Sequence, residues 1–182
     1  ENREGLPEML ADHICSWYQR IRYCHGHCHD RHPSSHPSHY STATKPVCVV
    51  LATFGFKKRT LESVASGVAL AQGATGRPAK WHTVDCRPIK SNPHHRLDLQ
   101  PLDGRDQRVS DYVMSDPLSA ELLQRACSFV TCELAAACGG SSIVVAFGCV
   151  GGQHRSVVLA VRLRERLAKL IAASVEIVVR HL

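Results

Sequence analysis

What this 182-residue sequence has little of narrows its reading first. No apolar run approaches the ~18–20 residues that a membrane-spanning helix needs. Runs such as Ile143 to Phe147 have the length of a strand, so no membrane partner is expected. Aromatic residues make up only 5%, and no RNP-type motif is present, so stacking of bases on an open sheet is not the expected mode of nucleic-acid binding. The cysteines do not form an even set. Nine occur, with Cys48, Cys86 and Cys149 in or beside apolar runs, which argues against a disulfide framework. A reducing intracellular compartment is expected instead, either cytoplasm or an organelle matrix such as that of the mitochondrion. The first residue is Glu1 rather than Met, so a processed or trimmed product is expected.

What is present suits a folded domain. Hydrophobic residues make up 44% and charged residues 21%, enough apolar side chain for a sizeable core and no sign of wholesale disorder. Lysine and arginine total 22 against 16 acids, a net charge of +6. That excess favours an anionic partner: RNA, a phosphorylated metabolite or an acidic surface.

Residues 1–44 read as an appendage. Leu10, Ile14, Trp17 and Ile21 recur at helical spacing within Leu6 to Tyr23, and predict a short amphipathic helix that docks on its own domain or on a protein partner. From Cys24 to Thr44 the composition turns to His, Ser and Pro, a linker or flexible arm. Cys24-His25-Gly26-His27-Cys28-His29 contains zinc-capable residues, but no clean second pair follows the Cys-x3-Cys half. A His-rich arm without a metal site is expected.

Residues 45–182 read as a single α/β domain: a mostly parallel sheet of about four or more strands flanked by helices. Val47 to Thr53 is a near-continuous, β-branched run, the pattern of a strand buried on both faces. Trp81 to Cys86, Ile143 to Gly148 and Val175 to Val179 predict three more strands. Helices are expected over Thr60 to Gln72, from Asp106 to Met114, after Asp116-Pro117, and from Arg155 to Leu170. Asp116 is placed as an N-cap with proline in the first turn. The stripe Leu118, Leu122, Ala126, Phe129 and Val130 marks that helix's buried face. Cys127, Cys132 and Cys138 are expected as small core residues. Arg87 to Arg105, with three prolines, reads as an irregular loop in which Asn92-Pro93-His94-His95 is either turn chemistry or a ligand-positioning element.

The segment Gly148-Cys149-Val150-Gly151-Gly152-Gln153-His154-Arg155-Ser156 follows a strand and opens a helix. In parallel sheets ligands bind beyond the carboxyl ends of the strands, and a helix N-terminus offers free N–H groups and partial positive charge. Glycines let backbone amides approach an anion. Arg155 adds a fork-shaped donor suited to phosphate. Ser156 can cap the helix or donate to the anion, and His154 can bind phosphate or exchange a proton. The same segment holds Cys149-x5-Arg155-Ser156, which resembles the loop of cysteine-dependent phosphatases, where a Cys149 nucleophile would sit beneath phosphate held by amides and Arg155. No histidine precedes Cys149, and no general acid is assignable among Asp85, Asp98, Asp103 and Asp106.

A broader resemblance runs through five ordered motifs: Phe54-Gly55-Phe56-Lys57, Asp85-x-Arg87, Asn92-Pro93-His94, Leu102-x-Gly104-x-Asp106, and the Cys149 to Val157 loop, with Arg180-His181 near the end. Over Lys45 to Leu182 the chain resembles the C-terminal domain of the RapZ (YvcJ-like) proteins. The resemblance implies binding of small regulatory RNAs and sensing of glucosamine-6-phosphate. It implies phosphosugar contacts from Asp85, Cys149, Gly151, Gly152, His154 and Arg155, joined by Lys57 and Arg87. Val150 stands where the family has threonine, and residues 58–80 insert a helix. No Gly-x4-Gly-Lys-Ser/Thr occurs, so the family's nucleotidase half is not expected here. Lys57, Lys58 and Arg59, with Arg162, Arg164, Arg166 and Lys169, are candidate RNA-phosphate contacts; for the 162–169 set a solvated helix face is the alternative. The expected function is therefore non-enzymatic: RNA or ribonucleoprotein binding with a phosphate or phosphosugar loop, as a component or assembly factor of a larger complex. A Cys149-dependent phosphatase is the alternative.

Overall fold

Apolar runs too continuous for a one-sided sheet predict strands with helices on both faces, and that arrangement is found. The computed structural model describes residues 46–72, 79–137, 139–171 and 175–182. The order is β1 (Val47–Gly55), α1 (Leu61–Gln72), β2 (Lys80–Asp85), a 3-10 turn (Pro93–His95), α2 (Gln107–Met114), α3 (Pro117–Ala136), β3 (Ser142–Cys149), α4 (Arg155–Leu170) and β4 (Val175–His181). The four strands form one sheet in the order β2-β3-β1-β4, and every pairing is parallel. The expected amphipathic helix, the His/Cys arm, the loop after α1 and Cys138 lie outside the described residues.

The two central strands are the two most apolar. β3 is buried along its whole length, and in β1 Val49, Val50, Leu51 and Ala52 are all buried. Each face of these strands is covered. On one face Val50, Ala52, Phe54, Val144 and Ala146 pack with Val64 and Val68 of α1. The other face carries α3 and α4. His82, in register with Val145, stacks on Phe129 of α3 at 4.8 Å, and Cys149 meets Ser156 of α4. This division follows from handedness. The β1–α1–β2 crossover steps one way across the sheet, and the two later crossovers step the other way. Right-handed connections then put α1 on one face and α2–α4 on the opposite one.

The helix boundaries have local causes. Asp116 Oδ1 accepts the N–H of Leu118, and Pro117 occupies the first turn of α3. Asp106 caps α2 through the N–H of Arg108. Asn92 caps the Pro93–His95 turn, so this segment is ordered by turn chemistry. The buried face of α3 is displaced from the expected stripe. Ser119, Leu123, Ala126, Cys127, Val130 and Leu134 are buried, while Leu118, Leu122 and Phe129 flank them half-buried. A hydroxyl makes the shift tolerable: Ser119 Oγ donates to Val113 O at 2.7 Å, so its burial leaves nothing unpaired. Cys127 is buried as expected, but Cys132 is exposed on the opposite side of α3. On α4, Leu159, Leu163 and Leu167 are fully buried; each contributes roughly 1.5–3 kcal/mol by leaving water.

Candidate functional site

With β3 and β1 side by side, the connection from β1 to β2 runs over one face of the sheet and that from β3 to β4 over the other, so the chain leaves two adjacent strands on opposite faces. That is the topological switch point, where open parallel sheets bind ligands. Two loops meet there: residues 56–60 after β1 and residues 150–154 after β3. They are laced by backbone bonds from Phe56 N to Cys149 O (2.9 Å) and from Lys57 N to Val150 O (3.2 Å).

Most of the glycines at this junction serve packing. Gly152 has φ +81°, and a Cβ there would come within 2.7 Å of Gly55 N; a Cβ on Gly55 would in turn meet Gly151 C at 2.6 Å. The two loops touch backbone to backbone, which only glycine permits. A Cβ on Gly148 would strike the rings of Phe54 and Phe56. Gly151 differs: nothing lies within 4 Å of its Cβ position. Of the two glycines expected to admit an anion, one locks the loop and the other opens onto free space.

The side chains of the loop turn inward. Cys149 is buried, and its Sγ accepts the N–H of Gly152 at 3.2 Å and lies 3.2 Å from Ser156 Oγ. Ser156 thus braces the thiol rather than capping α4. The N-cap position belongs to His154, which makes no side-chain capping bond. His154 is buried, with Nε2 3.3 Å from Gln100 O; burial holds its pKa below the ordinary imidazole value. Arg155 is buried too, and its Nη1 donates to Arg87 O at 2.8 Å and Ile89 O at 2.9 Å. His154 and Arg155 pin the β2–α2 connection to α4. Gln153 adds a bond from Nε2 to Leu102 O (2.8 Å) and accepts the N–H of Gly104 at its own carbonyl (3.0 Å).

What the loop leaves open is backbone. The N–H groups of Gly151, His154, Arg155, Ser156 and Val157 have no hydrogen-bond acceptor among the described residues. The first intrahelical bond is Val158 N to His154 O. Free N–H groups at a helix start are the kind of donors that anions take.

Two charged groups frame the row. Asp85, at the end of β2, takes the backbone N–H, Nε and Nη2 of Arg87. The Arg87 guanidinium hydrogen-bonded to it holds the Asp85 carboxyl below the usual carboxylate range. Arg87 also lies 4.0 Å above the Phe56 ring. Asp85 therefore orients an arginine. Lys57, Lys58 and Arg59 are exposed on the turn after β1, beside the loop and without a salt-bridge partner among the described residues. The helix set is placed elsewhere. Arg162 bonds Ser110 and pairs with Glu165 and Asp111, and Arg166 bonds Gln124. At 1.5 Å per residue they stand roughly 10 and 16 Å along α4 from Arg155. Arg164 and Lys169 are exposed on the same helix.

On the β4 side of the loop lies an open cleft of about 200 Å³, lined by Asp103, Arg105, Gly152, Gln153, Val157 and His181. Asp103, Arg105, Gln153 and His181 were not assigned ligand contacts from sequence. The signal lay in the ordered motifs, since Leu102-x-Gly104-x-Asp106 brackets the acid and the arginine and Arg180-His181 supplies the imidazole. Among the described residues no group of three or more His, Cys, Asp or Glu could hold a metal ion, and no helix is long and apolar enough to cross a membrane.

Fold and site together define an open, all-parallel α/β domain with a glycine-rich, amide-presenting loop at its switch point. The family model for the RapZ C-terminal domain matches residues 47–182, and the chain belongs to that family. Among curated relatives it is 40% identical over 109 residues to a nucleotide-binding protein of Rubrobacter xylanophilus, covering 58% of this chain and 36% of that protein. It is 46% identical over 87 residues to one of Ruegeria sp., covering 47% and 29%. A third, from Lactiplantibacillus plantarum, is 42% identical over 80 residues, covering 43% and 27%. The chain thus spans about a third of the length of the relatives it matches.

Proposed function

We propose that this domain binds RNA through its phosphates and receives a phosphate or phosphosugar group at the loop Cys149–Ser156, without chemical turnover. The observation that carries the reading is the set of N–H groups at Gly151 and from His154 to Val157 that have no acceptor among the described residues, at the switch point. The exposed cations Lys57, Lys58 and Arg59 beside it supply attraction for a polyanion. The relatives' printed name, nucleotide-binding protein, fits a phosphorylated ligand. It describes proteins of which this chain matches only about a third, however, and this chain has no Gly-x4-Gly-Lys-Ser/Thr loop. For this domain the nucleotide is proposed only as a ligand of the same amides.

The arrangement does not favour the phosphatase reading. Cys149 Sγ is buried, and Nη1 of Arg155 is held by two backbone carbonyls. The test is titration of a fluorescent single-stranded RNA at several salt concentrations, with glucosamine-6-phosphate as competitor. Binding should weaken steeply with salt, and Lys57→Ala with Lys58→Ala should lower the slope by about 0.7 per lost contact. Neither RNA nor sugar-phosphate binding, or aryl-phosphate turnover abolished by Cys149→Ser, would overturn the proposal.

A further inference from the structure

β4 is an edge strand with little edge protection. Among the described residues nothing pairs with its outer side. Its seven residues, Val175–His181, include neither proline nor lysine, two residues that commonly blunt such an edge. β2, the opposite edge, differs: Lys80 at its start pairs with Glu133, and His82 is covered by Phe129. Register with β1 sorts the β4 side chains. Glu176, Val178 and Arg180 stand beside Cys48, Val50 and Ala52 on the α1 face, and Ile177 and Val179 stand beside Val49 and Leu51 on the other. Val49, Val50 and Leu51 are fully buried, but Ile177, Val178 and Val179 are only half-buried.

Two groups on the α1 face of β4 lack what their chemistry demands. Arg180 Nε is buried with no hydrogen-bond partner among the described residues. Glu176 is exposed, with no salt-bridge partner among them. Within one strand they do not serve each other: four residues apart, with Val178 between, their backbones are separated by roughly 13 Å.

The backbone fixes how another strand can join. Leu182 N–H donates to Thr53 O, and successive amides alternate between the two edges of a strand. Those of Val178 and Arg180 therefore face β1, and those of Ile177, Val179 and His181 face outward. An antiparallel second copy, related by a two-fold axis through Val178, meets these outward groups along the whole strand. Ile177 of one copy then lies opposite Val179 of the other, and Glu176 lies opposite Arg180, once on each side of the axis. Sliding by two residues keeps the bonding pattern but sets Glu176 opposite Val178 or Leu182. Glu176 and Arg180 fall at non-hydrogen-bonded positions, where side chains approach most closely. Opposite charges and apolar residues paired across strands both stabilise the join.

We infer that β4 is a homodimerisation edge: two copies pair β4 antiparallel about Val178, with Glu176 of each copy bound to Arg180 of the other. The edge is self-complementary, as a two-fold dimer requires. Sedimentation equilibrium of the full chain over micromolar concentrations tests it. The parent should dimerise. Glu176→Arg and Arg180→Glu each set like charges opposite one another on both sides of the axis, and should weaken association about tenfold or more. An equimolar mixture of the two variants should associate again, since each supplies the charge the other lacks. A residue needed only for its own fold gives no such rescue in trans. The amides of Ile177, Val179 and His181 should exchange as an edge in the dilute monomer and slow as the dimer forms. Glu176 is exposed, so if Arg180→Glu unfolds the domain, the loss in Glu176→Arg and the slowed exchange carry the test. A parent that stays monomeric, a dimer that Glu176→Arg leaves intact, or a mixture of folded variants that stays monomeric overturns the inference.

Discussion

Glycine and arginine at this site do different work from what their residue types suggest. Gly152 is required because the β1 and β3 loops meet backbone to backbone and φ is +81°. Gly152→Ala should cost about 2–4 kcal/mol, from left-handed strain together with the clash at Gly55 N. Gly151→Ala should stay within about 0.5 kcal/mol of the parent, since no atom lies near its Cβ position. Urea denaturation of the pair checks both values. A Gly151 variant that keeps stability and loses ligand would isolate the approach of the anion. Arg155→Met should destabilise by on the order of 3 kcal/mol, because the carbonyls of Arg87 and Ile89 lose a charged donor. Loss of binding in that variant must therefore be read against its unfolding midpoint; a variant as stable as the parent would refute the clamp.

At the scale of elements, helix starts position the chemistry. Asp116 holds two segments at once, capping α3 through Leu118 N and accepting Lys90 N at 2.6 Å from the β2–α2 connection. Asp116→Ala should cost about 1–2 kcal/mol, as N-cap losses do, and thermal melts would show it. The start of α4 is pH-sensitive in a defined direction. Burial depresses the pKa of His154, and also of His82 and His181, below 6.5 in the folded state. Between each folded value and 6.5 the unfolded chain binds more protons, so stability is present above 6.5 and declines as pH falls through the folded values. His154→Gln should flatten that decline without abolishing it, which denaturation midpoints measured from pH 7.5 to 5 would reveal. An unchanged slope would mean that His154 is not buried as a neutral ring.

For the whole molecule, the strand order sets which parts open last. β3 and β1 are central and β2 and β4 form the edges. Amide exchange should be slowest over 143–147 and 49–53 and faster over 80–85 and 175–181; equal protection in all four strands would contradict the topology. The same order makes the site. The loops after β1 and β3 become neighbours because the two strands pair in parallel, with Gly55 opposite Cys149, which brings together segments about a hundred residues apart in the chain.

Much of this was legible in the chain itself. The four strands and the span of α4 follow from apolar runs, and the α3 start follows from Asp116-Pro117, because burial of a parallel strand and capping of a helix are local demands on local residues. The family follows from the order of short motifs. The displaced face of α3 was not legible: periodicity ranks Leu118 and Leu122 above Ser119, and only the bond to Val113 O makes the serine an inner residue. Nor were the inward turn of His154, Arg155 and Ser156 and the pairing of Asp85 with Arg87. A side chain's partner there is a carbonyl, thiol or guanidinium supplied by the packing of other segments or by the local backbone bend. The Asp103–Arg105–Gln153–His181 cleft likewise exists only where the β2–α2 connection, the start of α4 and the end of β4 converge. Local pattern determined the elements and the amide row that begins α4. Tertiary packing decided which side chains remained free to meet a ligand.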